Sequence, residues 1–596
     1  MQPGIAFEIV KTAGPMLGIR SDRTAIVAMC QRGPAEEPVL VHSLAEFTER
    51  FGCPLDGTLG ALAASGYFAN GGEELIVSRF VPDEATEASG VLGVVGASSS
   101  GPLTFYALEL GSFANQFRVD AKVQVRRQAR GEASSATQVT FTGLSAALFS
   151  ADDVGLPARF ASESAGGWLL LSAVDPYSAG SQTVTLSSPA LVLGEAVILT
   201  LYEATFSLRL REPNRAEQWV YGLDLRDLGA ANLLLATIGL RGDWIEPGDC
   251  ELPQPEVVVR LNGGSDGLDS GGNAAALEAS FSRAAAALSE LDSPDIVIAP
   301  DLWSRIWRTK GVDALAFDAE QANRLAQALV LNAADRSDRV VVLDSPLGGI
   351  STTRPLGVSE LEGWYQTEVA PLGAARDFAA AYAPWLRVVA GPVYQGDDTL
   401  LVPPSAHVAG QMARLSRERG PWIAVGNLTL QQGIGLDARW NEADEERLQA
   451  LGINPLRVVL PRGCTIQGVR ALAYPDRKPW AFLSTRRLFN FLRRALTPVG
   501  MSYVFEPNAP ATWIELRRDV TRLLQHLYSQ GGLAGATPRE AFFVQVNEAL
   551  NPEDARENGV LTCRIGVAPA VPLEFLLVRL VVSKGIANVV EEPNVP

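Results

Sequence analysis

The chain has 596 residues, of which 47% are hydrophobic and 20% charged, and its formal net charge is −17. This balance suits a folded protein of about three or four domains. It excludes nucleic acid as the main partner, because phosphate neutralisation needs a basic face. Five cysteines lie far apart with no C-x-x-C, which excludes a zinc ribbon or a disulfide framework and fits a reducing compartment.

In chain order, residues 1–20 carry Pro3, Gly4, Gly14, Pro15 and Gly18 and read as an extended arm without a basic-then-apolar signal segment. Short apolar strands follow at Thr24–Met29 and Glu74–Phe80, with helical patterns at Leu44–Phe51 and Leu59–Tyr67, giving a small α/β part. From about 100 to 215 the period becomes two. Phe117, Val119, Ala121, Val123 and Val125 alternate with polar residues, as do Phe206, Leu208 and Leu210, which predicts an all-β sandwich or barrel-like insertion. The longest uncharged apolar run, Leu228 to Leu240, is too short to span a bilayer, so no direct membrane insertion is expected.

From about 255 to 465 helices and strands alternate. A helical face formed by Leu277, Phe281, Ala284, Leu288 and Leu291 precedes a strand at Ile296–Ala299. A helix over about 320–334 precedes a strand at Val340–Leu343, and such alternation predicts a doubly wound sheet. Beyond 466 come helices and then strands near Thr562–Val567 and Leu576–Val582, with a polar tail, EEPNVP, expected to be mobile. Thr512 with Glu515, and Thr537 with Glu540, have the spacing of capping boxes and predict two helix starts. Leu516, Val520, Leu523, Leu524 and Leu527 supply the apolar face of the first of these helices.

Candidate chemistry is sparse. The three histidines, His42, His407 and His526, have no nucleophile motif beside them, and there is no G-x-S-x-G, H-E-x-x-H or P-loop. The Asn262–Gly272 loop, NGGSDGLDSGG, has the glycines of a phosphate cradle and two carboxylates, Asp266 and Asp269, of the type that binds Ca²⁺. It lacks lysine, its acids would repel phosphate, and its spacing fits no EF-hand, so a glycine turn ahead of a helix is the simpler reading. Arg486, Arg487, Arg493 and Arg494 form a basic cluster in which seven-residue spacing pairs Arg486 with Arg493 and Arg487 with Arg494 along a helix. It reads either as a solvated face or as a contact for an acidic partner. No cofactor or metal is expected. The residues alone point to a large non-enzymatic protein with candidate edge strands at both termini. The alternatives are a subtilisin-like hydrolase, against which the scarcity of histidine weighs, and another self-assembling structural protein such as a surface-layer or capsid component.

Several stretches together resemble the sheath proteins of contractile tails, of the myophage and contractile injection system type. They are Pro3-Gly4-Ile5, Gly18-Ile19, Ala25–Ala28, Arg32-Gly33-Pro34, SLAEFTERFG at 43–52, FANGGEELIVSRF at 68–80 and LGSFANQFRV at 110–119. GGSDG at 263–267, YAPW at 382–385, VPPSAHVAG at 402–410, Ile453-Asn454, WAFLSTRRL at 480–488, FEPNAPATW at 505–513 and Gly531–Gly535 continue the series to the C-terminal end. The order of these stretches, more than any one of them, carries the resemblance.

The resemblance implies a division into an arm at 1–20, an N-terminal α/β part at 21–95 and a β-rich insertion on the outer surface at 96–250. An α/β core at 251–465, a C-terminal sheath domain at 466–574 and a C-terminal arm strand and tail at 575–596 follow. It implies hexameric rings stacked around an inner tube, contraction that drives the tube through an envelope, and partners comprising further copies of the chain, the inner tube protein, the baseplate and a tail terminator or cap. It implies assembly in the cytoplasm, with release in a phage tail or extracellular particle as one fate. Neighbouring subunits would exchange strands through Pro3, Gly4, Ile5, Phe7 and Ile9 of one copy and Phe575, Leu577, Val578, Leu580 and Val582 of another. The tube contact would fall on Arg486, Arg487, Arg493 and Arg494. Ala6-Phe7-Glu8 departs from the tyrosine-containing acidic opening of the family, which leaves the register of the arm open.

Overall fold

The structure is a computed structural model and describes residues 20–55, 57–92, 103–213, 215–224, 228–243, 258–267, 274–304, 306–307, 319–348, 354–389, 399–474, 477, 480–503, 506–557, 561–571, 577–583 and 586–592. The chain forms two compact units, one of residues Val81–Ser270 and one of the sequences flanking it.

In the flanking unit the strand Thr24–Ala28 (β1) reads TAIVA and is buried along its whole length. A strand apolar on both faces needs a layer over each. Val39–Val41 (β2), Leu75–Arg79 (β3), Ile296–Ile298 (β4), Val340–Asp344 (β5), Ala379–Ala383 (β6), Ile453–Val459 (β7) and Gly463–Ile466 (β8) join it in an eight-stranded sheet of order β2-β3-β1-β4-β5-β6-β7-β8. The strands from β3 to β7 in that order run parallel, and β2 and β8 are antiparallel at the edges.

The helices of this unit include Leu44–Phe51 (α1), Gly60–Ala69 (α2), Ala274–Ser289 (α3), Ala319–Arg336 (α4), Ser405–Arg419 (α5), Leu483–Met501 (α6) and Pro510–Ser529 (α7). Successive strand residues point to opposite faces. Ile26, Ala28, Leu75, Val77, Ile298 and Val342 pack with α2 and α5. Ser78, one position past Val77, donates its hydroxyl to the Ala284 carbonyl of α3 at 2.7 Å on the other face. The doubly wound sheet expected from the β–α alternation is therefore present. α2 and α5 approach so closely that a Cβ on Gly66 would lie 2.3 Å from the His407 ring, and one on Gly410 would lie 2.4 Å from the Tyr67 carbonyl oxygen.

After the sheet, α6 and α7 bury Leu488, Leu492, Leu516, Val520, Leu523, Leu524 and Leu527 in a separate core with Trp422 and Trp513. Neither capping box forms as the spacing suggests. α7 starts at Pro510, two residues ahead of Thr512, with Ala509 as the cap residue. Proline at the start of a helix loses no hydrogen bond, so the helix extends back past Thr512, whose hydroxyl instead donates to the Pro507 carbonyl at 2.7 Å. In the short helix Pro538–Ala541 the Thr537 side chain does not cap, and Glu540 accepts from the Ala536 N–H instead. The strand Leu577–Ser583 pairs antiparallel with Ile586–Glu592, Leu577 opposite Glu592. The start of the tail expected to be mobile, Glu591 and Glu592, is thus part of a strand.

The Val81–Ser270 unit contains a closed antiparallel circuit of six strands. Arg118–Ala133 pairs with Gln138–Thr142, then Ser181–Leu186, Gly166–Val174, Pro157–Ala161 and Ala196–Arg211, which returns to Arg118–Ala133. This is the barrel form of the expected β insertion. Side chains including Val139, Phe141, Phe149, Phe160, Leu171, Val184, Leu199 and Leu201 make one core there. The two 16-residue strands run on into a second core with Phe117, Val119, Ala121, Phe206, Leu208 and Leu210. Val125 departs from the expected alternation and is 56% exposed. The register between these strands shifts at Tyr202, opposite Val125, and such an irregularity turns a residue from one face to the other. The GGSDG loop has Gly263 and Gly267 at positive φ. Asp266 accepts the Ser112 N–H at 3.0 Å and also its hydroxyl, so this carboxylate holds the Ser112–Gln116 turn in place.

Phe141 lies in the barrel core 5.1 Å from Phe149, ring to ring. Phe141→Ala should cost the barrel about 3–5 kcal/mol. Native-state proteolysis in urea checks this, through new cleavages within 81–270 at lower urea than in the parent protein.

Candidate functional site

The WAFLSTRRL stretch enters α6, and its arginines meet the sheet. Arg487 is 2% exposed and reaches Asp295, the residue before β4, which is also fully out of solvent. The Arg487 guanidinium donates to Asp295 through Nε at 3.0 Å and through Nη2, and Nη2 also reaches the Ser21 carbonyl at 3.0 Å and Ser416 Oγ at 2.7 Å. One turn pair further along the same face, Arg494 Nη2 donates to the second oxygen of Asp295 at 2.7 Å. Asn490 lies between the two arginines in sequence and donates to the Arg339 carbonyl ahead of β5 at 3.0 Å. Two buried carboxylate oxygens thus each carry an arginine, as a buried charge requires. The Arg339 guanidinium in turn donates to the Leu288 and Leu291 carbonyls at 2.8 and 2.6 Å, which ties β5 to the end of α3.

Arg486 turns to a different side. Its guanidinium carbon lies 4.1 Å from the Trp480 ring centroid and 4.4 Å from that of Phe378, and Trp480 packs edge-on against Phe489 at 5.0 Å. Weakly hydrated guanidinium groups stack well on aromatic faces. Burial lowers the Arg486 pKa to about 10, so the group stays cationic at neutral pH. Arg493 faces out on α6 and is exposed. The seven-residue pairing therefore holds for Arg487 with Arg494. The four arginines do not make one solvent-facing surface, because burial of Asp295 draws two of them inward.

The carboxyl ends of the strands, where sheets of this type commonly bind ligands, are filled by the chain itself. Asp301, just past β4, is fully buried and accepts the Met29 N–H at 2.8 Å and the Leu59 N–H at 2.5 Å, joining the end of β1 to the start of α2. Asp344 ends β5 and accepts the Ser405 N–H at the start of α5 at 2.7 Å. Burial raises the pKa of both acids to about 7. His407 is 1% exposed, and neither ring nitrogen has a hydrogen-bond partner. Burial lowers its pKa to about 4. Among the described residues, no histidine ring hydrogen-bonds a serine or a carboxylate, and no helix is long and apolar enough to cross a membrane.

Three further recognisable stretches have structural partners. Trp385 of YAPW donates to the Ser345 carbonyl at 2.9 Å. Asn454 accepts the Arg470 N–H at 2.7 Å and donates to the Ala381 carbonyl at 3.1 Å. In FEPNAPATW, Trp513 donates to Asn508 Oδ1 at 2.7 Å across the turn into α7. Of the residues named for strand exchange, Pro3, Gly4, Ile5, Phe7, Ile9 and Phe575 lie outside the described residues. Leu577, Val578, Leu580 and Val582 lie on the strand Leu577–Ser583. Sequence patterns give no sign of Asp295, because its partner Arg487 is 192 positions away. The only local hint is an acid set directly against an apolar strand, in DSPDIVIAP.

Asp295→Ala leaves two arginines facing a buried void and should cost about 3–5 kcal/mol, whereas Arg493→Ala should change stability by about 0.5 kcal/mol or less. Urea unfolding of the two variants side by side checks the contrast. The ordinary histidine value is 6.5, above the folded value of His407, so the unfolded chain takes up this proton first and stability falls as pH drops from 6.5 toward 4. Asp301 and Asp344, with folded values above 3.8, act in the opposite sense and lose stability as pH rises from about 4 through 7. His407→Leu should remove an acid-side loss on the order of 3 kcal/mol. The check is the difference between parent and variant unfolding midpoints at pH 7 and at pH 4.5.

Comparison with known proteins gives a consistent picture. Residues 476–583 match the family model of the phage tail sheath C-terminal domain. The tail sheath protein of Vibrio phage KVP40 is 23% identical over 262 residues, which is 42% of this chain and 38% of that protein's length. The fold is similar to the sheath tail protein of Listeria innocua, with TM-score 0.51 at 8% identity over 92% of this chain and 95% of that one. It is also similar to the sheath tail protein of Desulfitobacterium hafniense, with TM-score 0.50 at 12% identity over 91% and 93%. The chain is thus similar to the tail sheath proteins, and α6, which supplies Arg487 and Arg494 to Asp295, lies within the segment that matches the phage tail sheath C-terminal domain.

Proposed function

We propose that the chain is the contractile sheath subunit of a phage tail or related injection system, polymerising as stacked hexameric rings around an inner tube. The observation that carries this reading is the match of residues 476–583 to the sheath C-terminal domain, together with the way that domain is built into the sheet. A sheath must pass force from one subunit to the next without the subunit coming apart. The buried Asp295 pair with Arg487 and Arg494 fixes α6 to β4, so the C-terminal helices and the sheet move as one body.

Between subunits, the arm Met1–Arg20 of one copy adds to the strand Phe575–Val582 of a neighbour. Among the described residues, Leu577–Ser583 is paired only with Ile586–Glu592, and an open strand edge takes a further strand through main-chain hydrogen bonds that survive rigid-body motion. The tube contact of α6 falls on Arg493, the exposed arginine of the four, with an acidic tube surface as its complement. The baseplate and a tail terminator bound the two ends of the assembly, the 96–250 region lies at its outer surface, and assembly takes place in the cytoplasm. The chain's role is mechanical, with no catalytic step.

Negative-stain electron microscopy of the protein expressed alone tests the assembly. Striated hollow tubes with sixfold end views are expected, and single particles that stay monomeric even with a candidate tube protein would overturn the reading. Arg493→Glu should weaken co-sedimentation of the sheath with the tube while leaving sheath self-assembly intact. Unchanged co-sedimentation removes Arg493 from the tube contact.

A further inference from the structure

Two of the recognisable stretches contribute hydroxyl groups that the protein itself leaves unpaired. Tyr382, from YAPW on β6, is fully buried, and its hydroxyl has no hydrogen-bond partner. Ser484, from STRR in the first turn of α6, is 5% exposed, and its hydroxyl has none either. A buried hydroxyl without a partner is costly and uncommon in folded proteins. Here both line the same small cavity, of about 10 Å³, together with Arg487, Met412, Val425 and Leu483. That is about the space one water needs, and a water is retained only where polar groups converge on it.

We propose that this cavity is a binding site for one ordered water that bridges Tyr382 Oη and Ser484 Oγ beside the Arg487 guanidinium. Each hydroxyl can donate and accept, so the water oxygen accepts a hydrogen bond from the tyrosine O–H and a water O–H donates to the serine oxygen, and both orphans are satisfied at once. Arg487 commits Nε and Nη2 to Asp295, Ser21 and Ser416, and its positive charge favours a water oxygen at the cavity. No larger ligand fits the volume. The site joins β6 to α6, so the junction is held by an ion pair at Asp295 and by a water at Tyr382. It accounts for a tyrosine and a serine where a phenylalanine and an alanine would fill the same space.

The test is a map of the full-length protein at a resolution that shows internal waters, paired with unfolding of Ser484→Ala, Tyr382→Phe and the double variant. A density peak within hydrogen-bond distance of both oxygens is expected. With the water present, each single variant strands one of its bonds and lowers the unfolding midpoint, and the double variant falls by less than the sum. A map that shows other internal waters and nothing between these two oxygens overturns the proposal. So do single variants that leave the midpoint unchanged or raise it, since removing an orphan from a dry cavity relieves its cost.

Discussion

The structure of the flanking unit depends on one buried carboxylate. Asp295 sits ahead of β4 with no exposure, and it can remain charged there only with both oxygens paired. Arg487 and Arg494 meet that demand from one helix, seven residues apart, which fixes the rotation of α6 about its axis and its height against the sheet. The opposite face of α6 then has no choice but to present Leu488 and Leu492 to the C-terminal core with α7. A purely apolar contact would tolerate sliding, because hydrophobic burial has no direction. The ion pair has a direction, and for a protein read as a force-bearing subunit that property matters more than its net stability.

The same principle governs the ends of the strands. A parallel sheet leaves helix N-termini and strand ends facing a crevice where many relatives of this architecture hold a ligand. Here Asp301 and Asp344 occupy the two places nearest β1, β4 and β5, and their oxygens accept the backbone N–H groups that a bound anion would otherwise take. Desolvation raises their pKa values toward neutrality, so the groups act as much through hydrogen bonding as through charge. The crevice is thereby converted into a set of ties between the start of α2, the start of α5 and the sheet.

The β-rich unit solves a different problem. A sheet with open edges invites pairing with other chains, and closure of six strands into a barrel removes most of those edges. The two long strands of the barrel also run through a second core, so side chains on one continuous pair of strands serve two packing centres. The shift of register at Tyr202 lets the faces exchange between them, and the exposure of Val125 is its visible consequence.

Much of this was legible in the residues. The mostly apolar strands TAIVA and VVVLD, the period-two run from Phe117 to Ala121 and the helical repeat from Leu516 to Leu527 each depend on neighbours a few positions away, so periodicity is enough to place them. The spacing of Arg487 and Arg494 likewise puts them on one face of a helix. Other features could not be read in this way. Whether a helix begins at Thr512 or at Pro510 turned on Pro510 opening the helix without losing a hydrogen bond, which left the Thr512 hydroxyl to donate to the Pro507 carbonyl. The arginine cluster looked like a surface because nothing near it in sequence is acidic, and its counter-charge, Asp295, arrives only when the sheet assembles. By itself the sequence determined the elements and the alternation of the two fold types, since these rest on local backbone and side-chain periodicity, and the order of its stretches carried the resemblance to sheath proteins. Only the tertiary structure decided which arginines are buried, which carboxylates fill the strand ends and where hydroxyls are left facing a cavity, because each depends on desolvation and on partners that only the folded chain brings together.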